Sequence, residues 1–87
     1  MRLRQDCSIR SLRGKYLLFV RADAGDVSSW EVNESFAFLF ETLQGSDFDS
    51  RDIAKILVDE YGLDAGLADG EAVRFVGLLQ EWELTEP

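Results

Sequence analysis

The sequence contains no histidine, one cysteine and one proline, and that proline is the final residue, Pro87. Without histidine there is no imidazole for general acid–base work near neutral pH and none for a zinc site. A lone Cys7 can form neither an internal disulfide nor a C-x-x-C pair. It reads as a small apolar side chain at a strand edge, with a reactive thiol as the alternative. No internal proline interrupts an element. No apolar run approaches the roughly 20 residues of a membrane span, and the basic residues of Met1–Cys7 are not followed by the hydrophobic stretch of a signal peptide. There is no glycine-rich phosphate loop, and the carboxylates follow capping and surface patterns instead of converging as a metal loop does. The expectation is a cytoplasmic, non-membrane protein with no catalytic, cofactor or metal site.

What is present suffices for one core. A hydrophobic content of 46% with ten aromatic residues is too high for a disordered chain, and 87 residues make a single domain, 1–87. Charge is split along the chain. Arg2, Arg4, Arg10, Arg13, Lys15 and Arg21 against Asp6 give the first 21 residues +5; the remainder sets Arg51, Lys55 and Arg74 against 16 acids, giving −13 and the overall −8. Such a chain is a poor binder of nucleic acid, where phosphate neutralisation dominates affinity. The acids either keep a small domain soluble or attract a basic partner.

The chain divides at Ser28–Ser35. Before this stretch the pattern is that of strands, and after it that of helices. Cys7–Leu12 reads as a strand, Arg13-Gly14-Lys15 as a tight turn, and Tyr16–Arg21 as a central strand apolar enough to be covered on both faces. Residues 22–27 carry turn chemistry in Asp23, Gly25 and Asp26. In Ser28–Val32, Trp30 and Val32 alternate with Ser29 and Glu31, the period of a half-buried strand. As the last strand before the helices, it has an outer side with nothing in sequence to pair with it. Asn33 then caps a helix from Glu34 to Leu43, whose face is Phe36, Leu39, Phe40 and Leu43 and which stops at Gly45. Asp49 and Asp52 form an acidic capping box before Ile53, Ile56 and Leu57, with Gly62 as stop and Leu63 sealing it. A third helix spans about Leu67 to Trp82, with Ala68, Ala72, Phe75, Val76 and Leu79 inward. The order β-β-β-α-α-α predicts an α+β domain.

The junction Trp30-Glu31-Val32-Asn33-Glu34-Ser35 resembles the x-L-N-x-[ST/A] junction of the PqqD-like family. Leu43-Gln44-Gly45, Ile53-Ala54-x-x-Leu57, Tyr61-Gly62-Leu63-Asp64 and Glu71–Val76 followed by Leu79 and Leu84 are similar to the family's later motifs, in order and over essentially the whole chain. Two positions depart: Val32 stands where Leu is usual, and Trp82-Glu83 replaces a small residue and Gly before the final apolar pair. The resemblance implies a winged-helix-like domain that is not an enzyme. It implies a non-catalytic recognition element that holds the leader of a ribosomally made precursor peptide as a strand beside the third strand and against the third helix. The peptide would be presented there to a modifying enzyme, often a radical-SAM protein, as in pyrroloquinoline quinone synthesis.

The peptide-binding residues expected on this basis are Ser28, Ser29, Trp30, Glu31 and Val32 for the backbone ladder, with Val73, Val76, Gly77 and Gln80 bordering the groove. Trp30 has two readings, groove anchor and core packing under the sheet. Gly70 and Gly77, seven residues apart on one side of a helix, mark either a close backbone approach or a plain solvent face. Arg74 pairs either with an acidic leader residue or with Glu71 or Glu81 of its own helix. Phe38, off the helical stripe, is either exposed or packed under a loop. Two other functions compete: an oligomerisation module forming a homodimer through its edge strand, and a winged-helix DNA binder, opposed by Asp69, Glu71, Glu81 and Glu83 on the third helix.

Overall fold

The computed structural model describes residues 1–21 and 25–87. Six elements follow one another: β1 (Cys7–Leu12), β2 (Lys15–Arg21), β3 (Val27–Val32), α1 (Glu34–Leu43), α2 (Ser50–Tyr61) and α3 (Ala65–Glu81). The strands form one antiparallel sheet in the order β1-β2-β3. This is the expected α+β domain. The turn read over 22–27 falls partly on residues 22–24, outside the described residues.

Local chemistry explains the element ends. Arg13 and Gly14 both take positive φ, +53° and +78°, the pair of left-handed residues that lets a two-residue turn match the twist of its strands. Asn33 accepts from the Phe36 N–H at 2.8 Å and opens α1. At α2 the capping box is complete: the Asp49 carboxylate accepts from the Asp52 N–H at 3.1 Å while Asp52 accepts from the Asp49 N–H at 2.9 Å. Asp64 caps α3 by accepting from the Leu67 N–H at 3.0 Å, so this helix begins at Ala65, two residues before the sequence expectation.

The helices cover only one face of the sheet. Along β2, Leu18 is fully buried and Tyr16 and Val20 point the same way, whereas Leu17 and Phe19 on the other face are only half-buried beside exposed Arg10, Val27 and Ser29. The expectation of a central strand covered on both faces is therefore corrected: its second face meets solvent because no element of the described chain lies over it. On the covered side a single apolar core gathers Leu18, Val32, Phe36, Leu39, Phe40, Leu43, Ile53, Leu57, Ala68, Ala72, Phe75 and Leu79. The predicted inner stripes of all three helices are thus present, with Ile56 and Val76 at the margin. Phe38 is half-buried, its ring 5.9 Å from that of Tyr61 at a near-perpendicular angle.

Sequence periodicity says nothing of the chain ends, yet both reach the core. Leu3 and Leu84 are buried, and residues 2–4 pair with 84–86 through a Leu3–Thr85 bridge, with Arg4 N–H donating to Leu84 C=O at 2.9 Å and Glu86 N–H to Arg2 C=O at 2.8 Å. Leu84 reaches its place through the turn that ends α3. There Leu84 N–H donates to Leu79 C=O at 2.9 Å and Glu83 N–H to Gln80 C=O at 3.2 Å, the two bonds of a Schellman ending. Glu83 occupies its left-handed position at φ +55°. The resembled family has Gly there, so this chain keeps the turn with a residue that pays for it in steric strain. Glu83→Gly should raise stability by about 0.5–1 kcal/mol, seen as a higher urea midpoint; a lower midpoint would contradict the turn.

Burial also settles the state of Cys7. It is 2% exposed, and burial first, with the neighbouring Asp6 carboxylate second, pushes its thiol up to about 11. The thiolate needed for attack is therefore scarce at neutral pH. Iodoacetamide at pH 8.5 should label Cys7 only as fast as the protein opens, and much faster in 8 M urea; equal rates would show an accessible thiol.

Candidate functional site

Which side of β3 is free follows from the hairpin. In a two-residue turn the closing pair, Leu12 and Lys15, shares both ladder bonds, and bonded pairs then alternate. Lys15, Leu17, Phe19 and Arg21 thus direct their backbone groups at β1, in keeping with Arg21 N–H donating to Asp6 C=O at 3.2 Å. Tyr16, Leu18 and Val20 direct theirs at Val32, Trp30 and Ser28. It follows that Val27, Ser29 and Glu31 turn their N–H and C=O groups outward. Among the described residues nothing bonds to them. The opposite edge differs, because there Gln44 Nε2 donates to Cys7 C=O at 2.8 Å. β3 is therefore the more open of the two edges.

Trp30 lies on the inner side of this edge. Its ring meets Trp82, just past α3, at 5.3 Å between centroids and 76° between planes. Trp82 meets Phe36 at 5.6 Å, and Phe36 meets Phe75 at 5.0 Å. Four aromatic rings thus join the edge strand to the start of α1 and the middle of α3. Trp30 is half-buried against the core, as its packing reading required. Its indole Nε1 is the one buried side-chain polar atom among the described residues without a hydrogen-bond partner; the edge-to-face contact places it among π-systems, a weak substitute.

Where β3 ends, an open cleft of about 710 Å³ begins, bounded by Asn33, Ser35, Phe36 and Leu39 of the α1 side, Leu57, Tyr61 and Leu63 from α2 and its exit, and Leu67, Glu71, Arg74, Phe75 and Leu78 of α3. Its wall is mostly apolar, and Leu67 is 52% exposed at its rim. Burial, followed by the Glu34 and Glu60 carboxylates, raises the Tyr61 phenol above its ordinary range, so it remains a neutral donor. Arg74 and Glu71 approach at 3.8 Å with both side chains largely in solvent, an ion pair worth little and easily exchanged. No group of three or more His, Cys, Asp or Glu is placed to hold a metal ion among the described residues.

The expected site residues divide accordingly. Ser28, Ser29, Trp30, Glu31 and Val32 come together on β3, with Trp30 and Val32 inward and Ser29 and Glu31 outward. Val73, Val76, Gly77 and Gln80 are not brought to the cleft. Leu67, Glu71, Arg74 and Leu78 recur at i, i+4, i+7 and i+11, and Val73, Val76 and Gln80 lie roughly half a turn round the helix from that stripe. Gly70 and Gly77 face open space, where a Cβ would meet nothing within 4 Å. The cleft-facing flank of α3 had no signal in the sequence, because a helix's own periodicity marks its buried stripe but not which flank of it borders a cleft.

No family model matches the sequence, and no curated protein matches it. Two solved structures share the fold. One, described as lasso peptide synthetase B1 complexed with the leader peptide, is 23% identical, with 99% of this chain and 96% of that one aligned and a TM-score of 0.70. The other, TbiB1 in complex with the TbiA(beta) leader peptide, is 15% identical, with 99% and 95% aligned and a TM-score of 0.74. At these identities the likeness establishes the fold.

Removing the Trp82 ring tests the aromatic tie. Trp82→Ala should cost about 2–4 kcal/mol in urea unfolding and shift Trp30 emission to the red. An unchanged midpoint and spectrum would show that the two rings do not support each other.

Proposed function

We propose that this chain is a non-catalytic adaptor that captures the leader segment of a ribosomally made precursor peptide and presents the peptide to a modifying enzyme. The observation that carries the reading is the open β3 edge beside an apolar cleft: a strand edge supplies backbone pairing for affinity, and pockets beneath it read alternate side chains. Two further facts support it. The sequence resembles the PqqD-like family along its length, and both solved neighbours are described as leader-peptide complexes. The resemblance and the neighbours agree on leader capture, while the modifying enzyme, often a radical-SAM protein, enters through the resemblance alone. Leader capture is common to both and is the core of the proposal.

In this reading the leader pairs with Val27, Ser29 and Glu31. Peptide side chains beside Trp30 then turn inward, and the following residues enter the cleft between the start of α1 and the Leu67–Leu78 flank of α3. Arg74 is free to exchange Glu71 for a leader carboxylate. The competing reading, a homodimer through paired β3 edges, uses the same backbone groups and would compete with peptide.

Proline scanning separates edge from interior. Ser29→Pro or Glu31→Pro removes an outward donor while leaving the β2–β3 ladder intact. Each should weaken binding of a leader peptide encoded beside the gene at least about fivefold, one backbone hydrogen bond, with the fold retained by circular dichroism. Trp30→Pro breaks the internal ladder and should unfold the domain. Unchanged leader affinity in folded Glu31→Pro would exclude strand addition, and a wild-type dimer by sedimentation that ignores the leader would favour self-pairing.

A further inference from the structure

The solvent face of the sheet carries more apolar surface and more positive charge than a solvated face requires. Leu17 and Phe19 stand at its centre, each half-buried, and Leu12 and Val27 at its margins are 59% and 58% exposed. Residues 7–21 contain Arg10, Arg13, Lys15 and Arg21 and no acid, whereas residues 33–87 set 13 acids against three basic residues. The Arg10 guanidinium lies 5.7 Å from the centroid of the Phe19 ring. A shallow depression of about 330 Å³ opens between Arg10, Phe19, Arg21 and Val27, with Asp6 and Ser8 at its side. Asp6 is held by Arg4 at 2.6 Å, and Lys15 reaches Glu31 only at 4.0 Å. Among the described residues neither Arg10 nor Arg21 has a carboxylate at ion-pair distance.

β2 thus has the composition of a strand with two covered faces in a fold that covers one. We propose that a partner supplies the second cover: the sheet's outer face docks an acidic, apolar-centred surface of the enzyme that acts on the bound peptide. The proposal rests on leader capture at β3, and that geometry gives its logic. A strand added to β3 turns every second side chain onto this same outer face, so a protein seated over Leu17 and Phe19 lies directly beside the peptide. Positive charge at the rim selects acidic surfaces at contact without deciding the affinity alone. The chain's net charge of −8 repels polyanions at long range, which favours a protein surface over nucleic acid. The three strands, of six, seven and six residues, present a footprint of about 300 Å², small against the roughly 800 Å² per partner of a stable complex. The contact is therefore transient, as an adaptor that must release its cargo requires.

The test uses the full chain with a leader peptide and each purified peptide-modifying or peptide-cleaving enzyme encoded beside the gene. Binding is read by biolayer interferometry at low and high salt. The R10E/R21E double variant should bind the enzyme at least about tenfold more weakly at low salt, and Phe19→Ser should weaken it at both salts. Leader affinity of both variants, from calorimetry, should stay as in the wild type. Enzyme binding indifferent to these changes, or absent in the wild type, overturns the proposal. So does binding of a 20-base-pair DNA or of vesicles with one-third anionic lipid that the charge reversal abolishes, because it assigns the face to another partner. Salt-sensitive self-association abolished by the same reversal assigns it to a second copy. A wild type that binds no leader defeats the adaptor reading instead, and the two failures are thereby distinguishable.

Discussion

The contact between Trp30 and Trp82 is the constraint on which the rest of the molecule depends. It fastens the end of α3 to the inner face of the last strand and leaves that strand's outer edge bare. Through Phe36 the same ring reaches the first turn of α1 and Phe75 of α3. Strand edge and cleft wall are therefore held in one rigid relation. Large aromatic rings suit this role, since each buries much surface at a small entropic cost and fixes orientation through edge-to-face contact. The turn that follows, with Glu83 left-handed, delivers Leu84 into the core and closes the domain against residues 2–4. The unpartnered Trp30 Nε1 is the cost of placing a tryptophan at this junction.

Rigidity matters here because an open strand edge is a hazard. It invites pairing with any extended chain. Exposed Glu31 on β3 blunts that tendency, as does the short length of the strand, six residues. Beside the end of this strand the cleft presents an apolar wall, the neutral Tyr61 phenol and Arg74, the last in a solvent-exposed pair with Glu71. The split of charge follows the split of architecture. Acids lie mostly with the helices and basic residues mostly with the sheet, so the two ends of the molecule differ in the sign of their charge.

Most of the fold was legible because the core residues carry their periodicity openly. Phe36, Leu39, Phe40 and Leu43 announce a helix face, and Asn33, Asp49 and Gly62 announce its punctuation. The strand-to-helix junction at Ser28–Ser35 was equally clear. Three things were not. The uncovered face of β2 was hidden because Leu17 and Phe19 read as core residues, while burial depends on elements the strand does not contain. The pairing of residues 2–4 with 84–86 was invisible because two short segments far apart in sequence show no period. The flank of α3 that borders the cleft was not marked, because a helix's period picks out its buried stripe and not its flanks: Leu67, Glu71, Arg74 and Leu78 line the cleft, and Val73, Val76, Gly77 and Gln80 lie elsewhere on the helix.

The most direct test of the account is amide hydrogen exchange along β3, residue by residue, with and without a leader peptide. In the free protein Ser28, Trp30 and Val32, bonded to β2, should exchange slowly, and Val27, Ser29 and Glu31 should exchange fast. Saturating leader should slow Ser29 and Glu31 by at least about tenfold while leaving the alternate residues as they were. Protection confined to α3, or equal along the whole strand, would contradict strand addition at this edge.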